Sequence, residues 1–77
     1  MKQLTEVRRM ILQNIKDGKD PYKGFEGSQL GGAIRSVQVM RRVRYLINFN
    51  RDTEKYFLTP AGEAALKTGE YDERPVR

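Results

Sequence analysis

Lys55-Tyr56-Phe57-Leu58-Thr59-Pro60-Ala61-Gly62-Glu63-Ala64-Ala65-Leu66 changes its period halfway along. Its first four residues are β-prone and suit a strand buried on one face. Thr59-Pro60 then marks a helix start: a hydroxyl residue at the N-cap, and a proline at the first helical position, where its missing N–H costs nothing. Ala61, Ala64, Ala65 and Leu66 carry that helix to Thr68, and Gly69 ends it. The strand needs a partner, and one stands just upstream. Leu46 to Phe49 is β-prone, and Asn50-Arg51-Asp52-Thr53-Glu54 between the two runs is polar. Together they predict a β-hairpin over 46–58 with a five-residue loop.

Helical periodicity fills the N-terminal half. Leu4, Val7, Ile11 and Ile15 recur at spacings of three and four, so a first helix is predicted from Thr5, its N-cap, to Asp17, with Gly18 as the stop. The segment 18–27 is a connector, with turn signals at Asp20-Pro21 and Lys23-Gly24. Its Tyr22 and Phe25 are expected to fold back on the core. Ser28 is placed to cap a short second helix through Leu30, Ala33 and Ile34. Gly31-Gly32 weakens that helix by roughly 1 kcal/mol per glycine, and close approach of another helix is the expected reason for them. Ser36 is placed to cap a third helix over about 36–46, its apolar stripe formed by Val39, Met40, Val43, Leu46 and Ile47. Gln38, Arg41, Arg42 and Tyr45 then lie opposite that stripe, with Val37 and Arg44 on the flank. The short charged segment 70–77 is expected to be a flexible tail beyond a domain spanning 1–69.

Charge is distributed unevenly over this plan. Between Gly27 and Arg51 stand Arg35, Arg41, Arg42, Arg44 and Arg51, with no Asp or Glu. The remaining residues carry equal numbers of acids and bases, so the net charge of +5 arises within this one stretch. A cationic block inside a balanced chain is the electrostatic footprint of a surface for a polyanion. Histidine and cysteine are absent, which removes thiolate zinc sites, Ser-His-Asp triads and histidine acid–base chemistry. Glu70, Asp72 and Glu73 cluster only in the expected tail, which offers no rigid scaffold for a catalytic pair. No cofactor, metal or enzymatic activity is expected. Apolar runs reach two or three residues, as in Met10-Ile11-Leu12, so a soluble, cytoplasmic chain without a membrane partner is expected.

Helix, helix, helix, hairpin, helix resembles the winged helix-turn-helix DNA-binding superfamily, in the manner of small bacterial and phage transcription regulators. Lys55 to Leu66 carries the resemblance: it looks like the "Y-x-L-T-x-x-G-x-x-x-L" segment with which many such regulators close the wing and begin the next helix. Ser28 to Ile34 resembles their second helix, and Ser36 to Tyr45 takes the place of their recognition helix. The resemblance implies a mostly α fold with a small hairpin: a three-helix bundle, a two-stranded wing and a C-terminal helix. It also implies duplex DNA binding, with the third helix in the major groove and the 46–58 hairpin flanking it.

Residue chemistry assigns the contacts within that frame. Arg pairs bidentately with guanine and Gln with adenine, so Gln38, Arg41 and Arg42 are the expected base readers. Arg35, Arg44, Tyr45 and Arg51 are the expected phosphate contacts. Four to six neutralised phosphates give a log K against log salt slope of about −4 to −5. The same arginines also suit an acidic protein partner, or structured RNA, and the sequence leaves these readings and the oligomeric state open.

Overall fold

The caps predicted at Thr5 and Thr59 form in the computed structural model, which describes residues 2–42 and 46–71. A two-residue strand, β1 (Lys2–Gln3), precedes helix α1 (Glu6–Lys16). The Thr5 hydroxyl accepts from the Arg8 N–H at 3.3 Å, with Glu6 in the first turn and Lys16 in the last, both matched to the helix dipole. Gly18 takes a left-handed φ of 75° just after α1 ends. In the connector, Phe25 is buried and Tyr22 packs half-buried against the core, as their aromatic character predicts.

The expected break at Arg35-Ser36 is absent. Ser28–Arg42 is a single helix, α2, of 15 residues. The reason lies in the phase of its buried side. Ala33, Val37 and Met40 are spaced four and three apart and are all buried, so one apolar stripe runs through the position assigned to a turn. Ser36 lies half-buried beside that stripe in mid-helix and caps nothing. Val37, expected on the flank, belongs to the core, and Val39 is only half-buried. The expected third helix over 36–46 therefore does not exist as a separate element. The Leu46 N–H donates to the Met40 carbonyl at 2.8 Å and leads directly into the hairpin.

Strands β2 (Ile47–Asn50) and β3 (Lys55–Leu58) pair antiparallel, with Ile47 opposite Leu58 and Phe49 opposite Tyr56. Ile47, Phe49, Tyr56 and Leu58 face the core, while Asn48 and Phe57 face solvent. The loop is one residue shorter than expected, because Asn50 joins β2. The Asn50 Oδ1 accepts from the Asp52 N–H at 2.9 Å, and Glu54 supplies the left-handed residue at φ 56° that returns the chain to β3.

Helix α3 (Pro60–Thr68) begins as its sequence predicts, with the Thr59 hydroxyl accepting from the Gly62 N–H at 3.1 Å. Here the conformation depends on one missing side chain. A Cβ on Gly62 would stand 2.9 Å from the Leu46 carbonyl carbon and nearer still to its oxygen. That same oxygen accepts the Thr59 N–H at 3.1 Å. The glycine lets the first turn of α3 rest directly on the entry to the hairpin.

Glu70 and Tyr71, expected in the tail, form part of the fold. Strand β4 (Glu70–Tyr71) pairs antiparallel with β1, and Tyr71 is buried. Arg8 Nη1 donates to the Tyr71 hydroxyl at 2.6 Å and the guanidinium lies over its ring. Glu70 and Tyr71 thus belong to the domain, and the rest of the expected tail lies outside the described residues. The core joins all three helices to the hairpin: Ile11, Leu12 and Ile15 meet Ala33, Val37 and Met40, then Leu46, Ile47 and Ala65. The fold is mostly helical with one antiparallel hairpin, and it has three helices among the described residues rather than four.

Candidate nucleic-acid interface

Helix α2 buries one side, so its opposite side must face solvent, and the charged residues are there. Arg35, Gln38, Arg41 and Arg42 are all exposed. Their spacing at 3.6 residues per turn gathers Arg35, Gln38 and Arg42 directly opposite Ala33, Val37 and Met40. No acidic residue occurs anywhere in Ser28–Arg42. Among the described residues, no carboxylate forms an ion pair with Arg35, Arg41 or Arg42. An unneutralised cationic face of this kind holds a positive potential that mixed-sign surfaces cancel.

Arg41 lies on the flank of that face, toward the hairpin. Its guanidinium carbon stands 5.7 Å from the Phe49 ring centre. Phe49 in turn meets Tyr56 edge-on, with ring centres 5.0 Å apart. The aromatic pair on the inner side of the hairpin therefore props the last turn of α2 through a cation–π contact. Buried Met40, Leu46 and Ile47 join the same end of α2 to the hairpin, and the Arg41 contact lies at the edge of that packing.

Arg51 sits in the exposed turn between β2 and β3, with Asp52 and Glu54 beside it. Lys55 follows, also exposed. The positive charge of Arg51 is thus diluted locally, unlike that on α2. Arg44 and Tyr45 lie outside the described residues. Arg8, a basic residue of α1, is held against Tyr71, so its position is fixed by that contact.

Two residues of this surface are misread by periodicity. Leu30 and Ile34 fit a buried stripe when 28–34 is taken as a separate helix, yet they are 36% and 41% exposed. In one continuous helix they share the flank that leads to Arg41. Gly31 and Gly32 are also exposed, and a Cβ at either would meet nothing within 4 Å. Close helix packing, the expected reason for these glycines, is absent.

A separate cleft of about 320 Å³ lies between the connector and the hairpin, lined by Ile15, Pro21, Tyr22, Glu54 and Tyr56 among others. It includes no residue of α2. Burial raises the Tyr22 phenol above its ordinary value, with smaller contributions from Tyr56 and Asp20. No helix among the described residues is long and apolar enough to cross a membrane. No protein-family model, curated protein or solved structure gives a significant match to the chain.

Proposed function

We propose that this protein binds duplex DNA, as a small transcription regulator or phage-type accessory factor of winged-helix kind. The observation that carries the proposal is the solvent face of α2: Arg35, Gln38, Arg41 and Arg42, with no acid on the helix and no ion pair to a carboxylate among the described residues. The whole of α2 then acts as the recognition helix. Ser28 to Ile34, expected as a separate second helix, is the first part of α2, and the 47–58 hairpin serves as the wing. An α-helix fits the major groove. Gln38 and Arg42 reach base edges, together with Arg41, while Arg35 and Arg51 meet phosphates, joined by Arg44 and Tyr45. The Arg41–Phe49 contact lies where the helix meets the wing.

Fluorescence anisotropy with a labelled random-sequence duplex tests this directly. The expected result is saturable binding that weakens with salt, at a log K against log salt slope of about −4 to −5. Unlabelled duplex should compete better than single strands or an RNA hairpin. A flat salt response would refute the proposal. Preferential competition by the RNA hairpin would move the same face to structured RNA, and saturable binding of an acidic protein without duplex binding would make it a protein contact.

A further inference from the structure

Leu30 and Ile34 occupy an unusual place. They are large, apolar and exposed, and they stand on the same flank as Arg41, at spacings of four and seven residues. Between them Gly31 presents bare backbone, with nothing within 4 Å of where its Cβ would be. The exposed surface of α2 thus changes character along its length, with the aliphatic pair on one flank. The N-terminal half offers two aliphatic side chains and a glycine, and the C-terminal half offers Arg35, Gln38, Arg41 and Arg42.

An apolar patch continuous with an unneutralised cationic face calls for an occupant that is anionic overall and apolar at points. Duplex DNA has this chemistry in its major groove, where phosphates line the rim and the C5-methyl of thymine is the apolar group on the base edges. The N-terminal residues of a groove-bound recognition helix face those edges. We infer that Leu30 and Ile34 read thymine methyl groups, which makes them specificity-determining residues, with Gly31 allowing the helix backbone to approach. The inference rests on the proposed DNA-binding reading and adds to it the class of base that the first turns of α2 select. The C-terminal half supplies phosphate contacts and the Arg and Gln base contacts, and the aliphatic half adds preference for thymine-bearing positions.

The test begins with selection of a preferred site from a random duplex pool by the full chain. Each thymine of that site is then replaced by uracil, which keeps base pairing and removes only the methyl. Uracil at one or two positions should weaken binding about fourfold per methyl, the equivalent of one methylene group returned to water. Ile34→Ala should weaken binding to the thymine site and abolish the thymine–uracil difference at one position. Arg42→Ala should weaken binding to both duplexes and leave their ratio unchanged. Equal affinity of the unaltered protein for thymine and uracil duplexes overturns the inference while leaving DNA binding intact, and so does an unchanged ratio in both Ile34→Ala and Leu30→Ala. Absence of any duplex binding overturns both this inference and the reading beneath it. Sedimentation supplies a further outcome: a free dimer that Ile34→Ala dissociates would assign the patch to a second copy of the chain and overturn the inference.

Discussion

Replacing Gly62 by alanine should destabilise the fold even though alanine is the better helix former. Intrinsic propensity alone favours the change by up to about 1 kcal/mol. Against that, the new Cβ falls 2.9 Å from the Leu46 carbonyl carbon and closer to its oxygen, and the obstacle is backbone, which cannot rotate away as a side-chain tip would. Overpacking of this sort costs about 1–3 kcal/mol. Opening the contact also strains the hydrogen bond from the Thr59 N–H to the same oxygen, worth about 0.5–1.5 kcal/mol. The net expectation is a loss of about 2 kcal/mol, which for a domain of this size lowers the melting temperature by about 10 °C. Circular dichroism melts and urea titrations measure it, and an unchanged m value would assign the effect to stability rather than to a change in compactness. Gly32→Ala is the matched control. It lies in a helix with nothing within 4 Å of the new Cβ, so it should stabilise by about 0.5–1 kcal/mol. A Gly62→Ala protein as stable as the parent would refute the packing argument, because the sign of the effect follows from the Leu46 contact alone.

Arg41 and Arg42 should separate in stability although both face solvent. Arg41→Ala removes the guanidinium from the Phe49 ring and should cost about 0.5–1 kcal/mol, whereas Arg42→Ala should stay within about 0.5 kcal/mol of the parent in the same melts. In anisotropy titrations each should weaken duplex binding, by about 1–3 kcal/mol where the side chain reads a guanine. A stability loss at Arg42 equal to that at Arg41 would contradict the orientation of the helix. Tyr22 supplies a pH test. Its folded phenol titrates above the ordinary value of 10.0, so its contribution to stability is complete below that pH and disappears as pH rises through the folded value. Absorbance at 295 nm, compared between the parent and Tyr22→Phe, should show the missing phenolate in the late part of the alkaline titration. An early missing component would contradict burial of the ring beside Tyr56.

The elements legible in the sequence are those whose signals are local. Thr59-Pro60 and Thr5 specify helix starts through their own side-chain and backbone chemistry, and both caps form. The hairpin follows from two β-prone runs around a polar turn, and its pairing matches that expectation to one residue. The illegible features depend on partners distant in the chain. Strands β1 and β4 are two residues each, too short for any periodicity, and they exist because Tyr71 returns to Lys2 while Arg8 holds its hydroxyl. The false break at Ser36 has a different origin. A serine flanked by two plausible apolar stripes satisfies the rule for an N-cap, and only the common phase of Ala33, Val37 and Met40 decides that a single helix passes through it.

That correction changes the geometry of the candidate site more than its membership. Two short helices joined by a turn would let Leu30 and Ile34 pack inward while Arg41 and Arg42 point out, so the aliphatic and cationic residues would belong to different surfaces. A single rod allows no such independence. Once Val37 and Met40 are buried, helical phase puts Leu30 and Ile34 on the flank shared with Arg41, and their exposure agrees with that placement. The same rod is joined at its C-terminal end to the hairpin by buried Met40, Leu46 and Ile47, so its angle to the hairpin is a property of the packed domain rather than of a loop. A surface preorganised in this way avoids much of the ordering cost of binding, and a duplex meeting it would encounter helix and hairpin together.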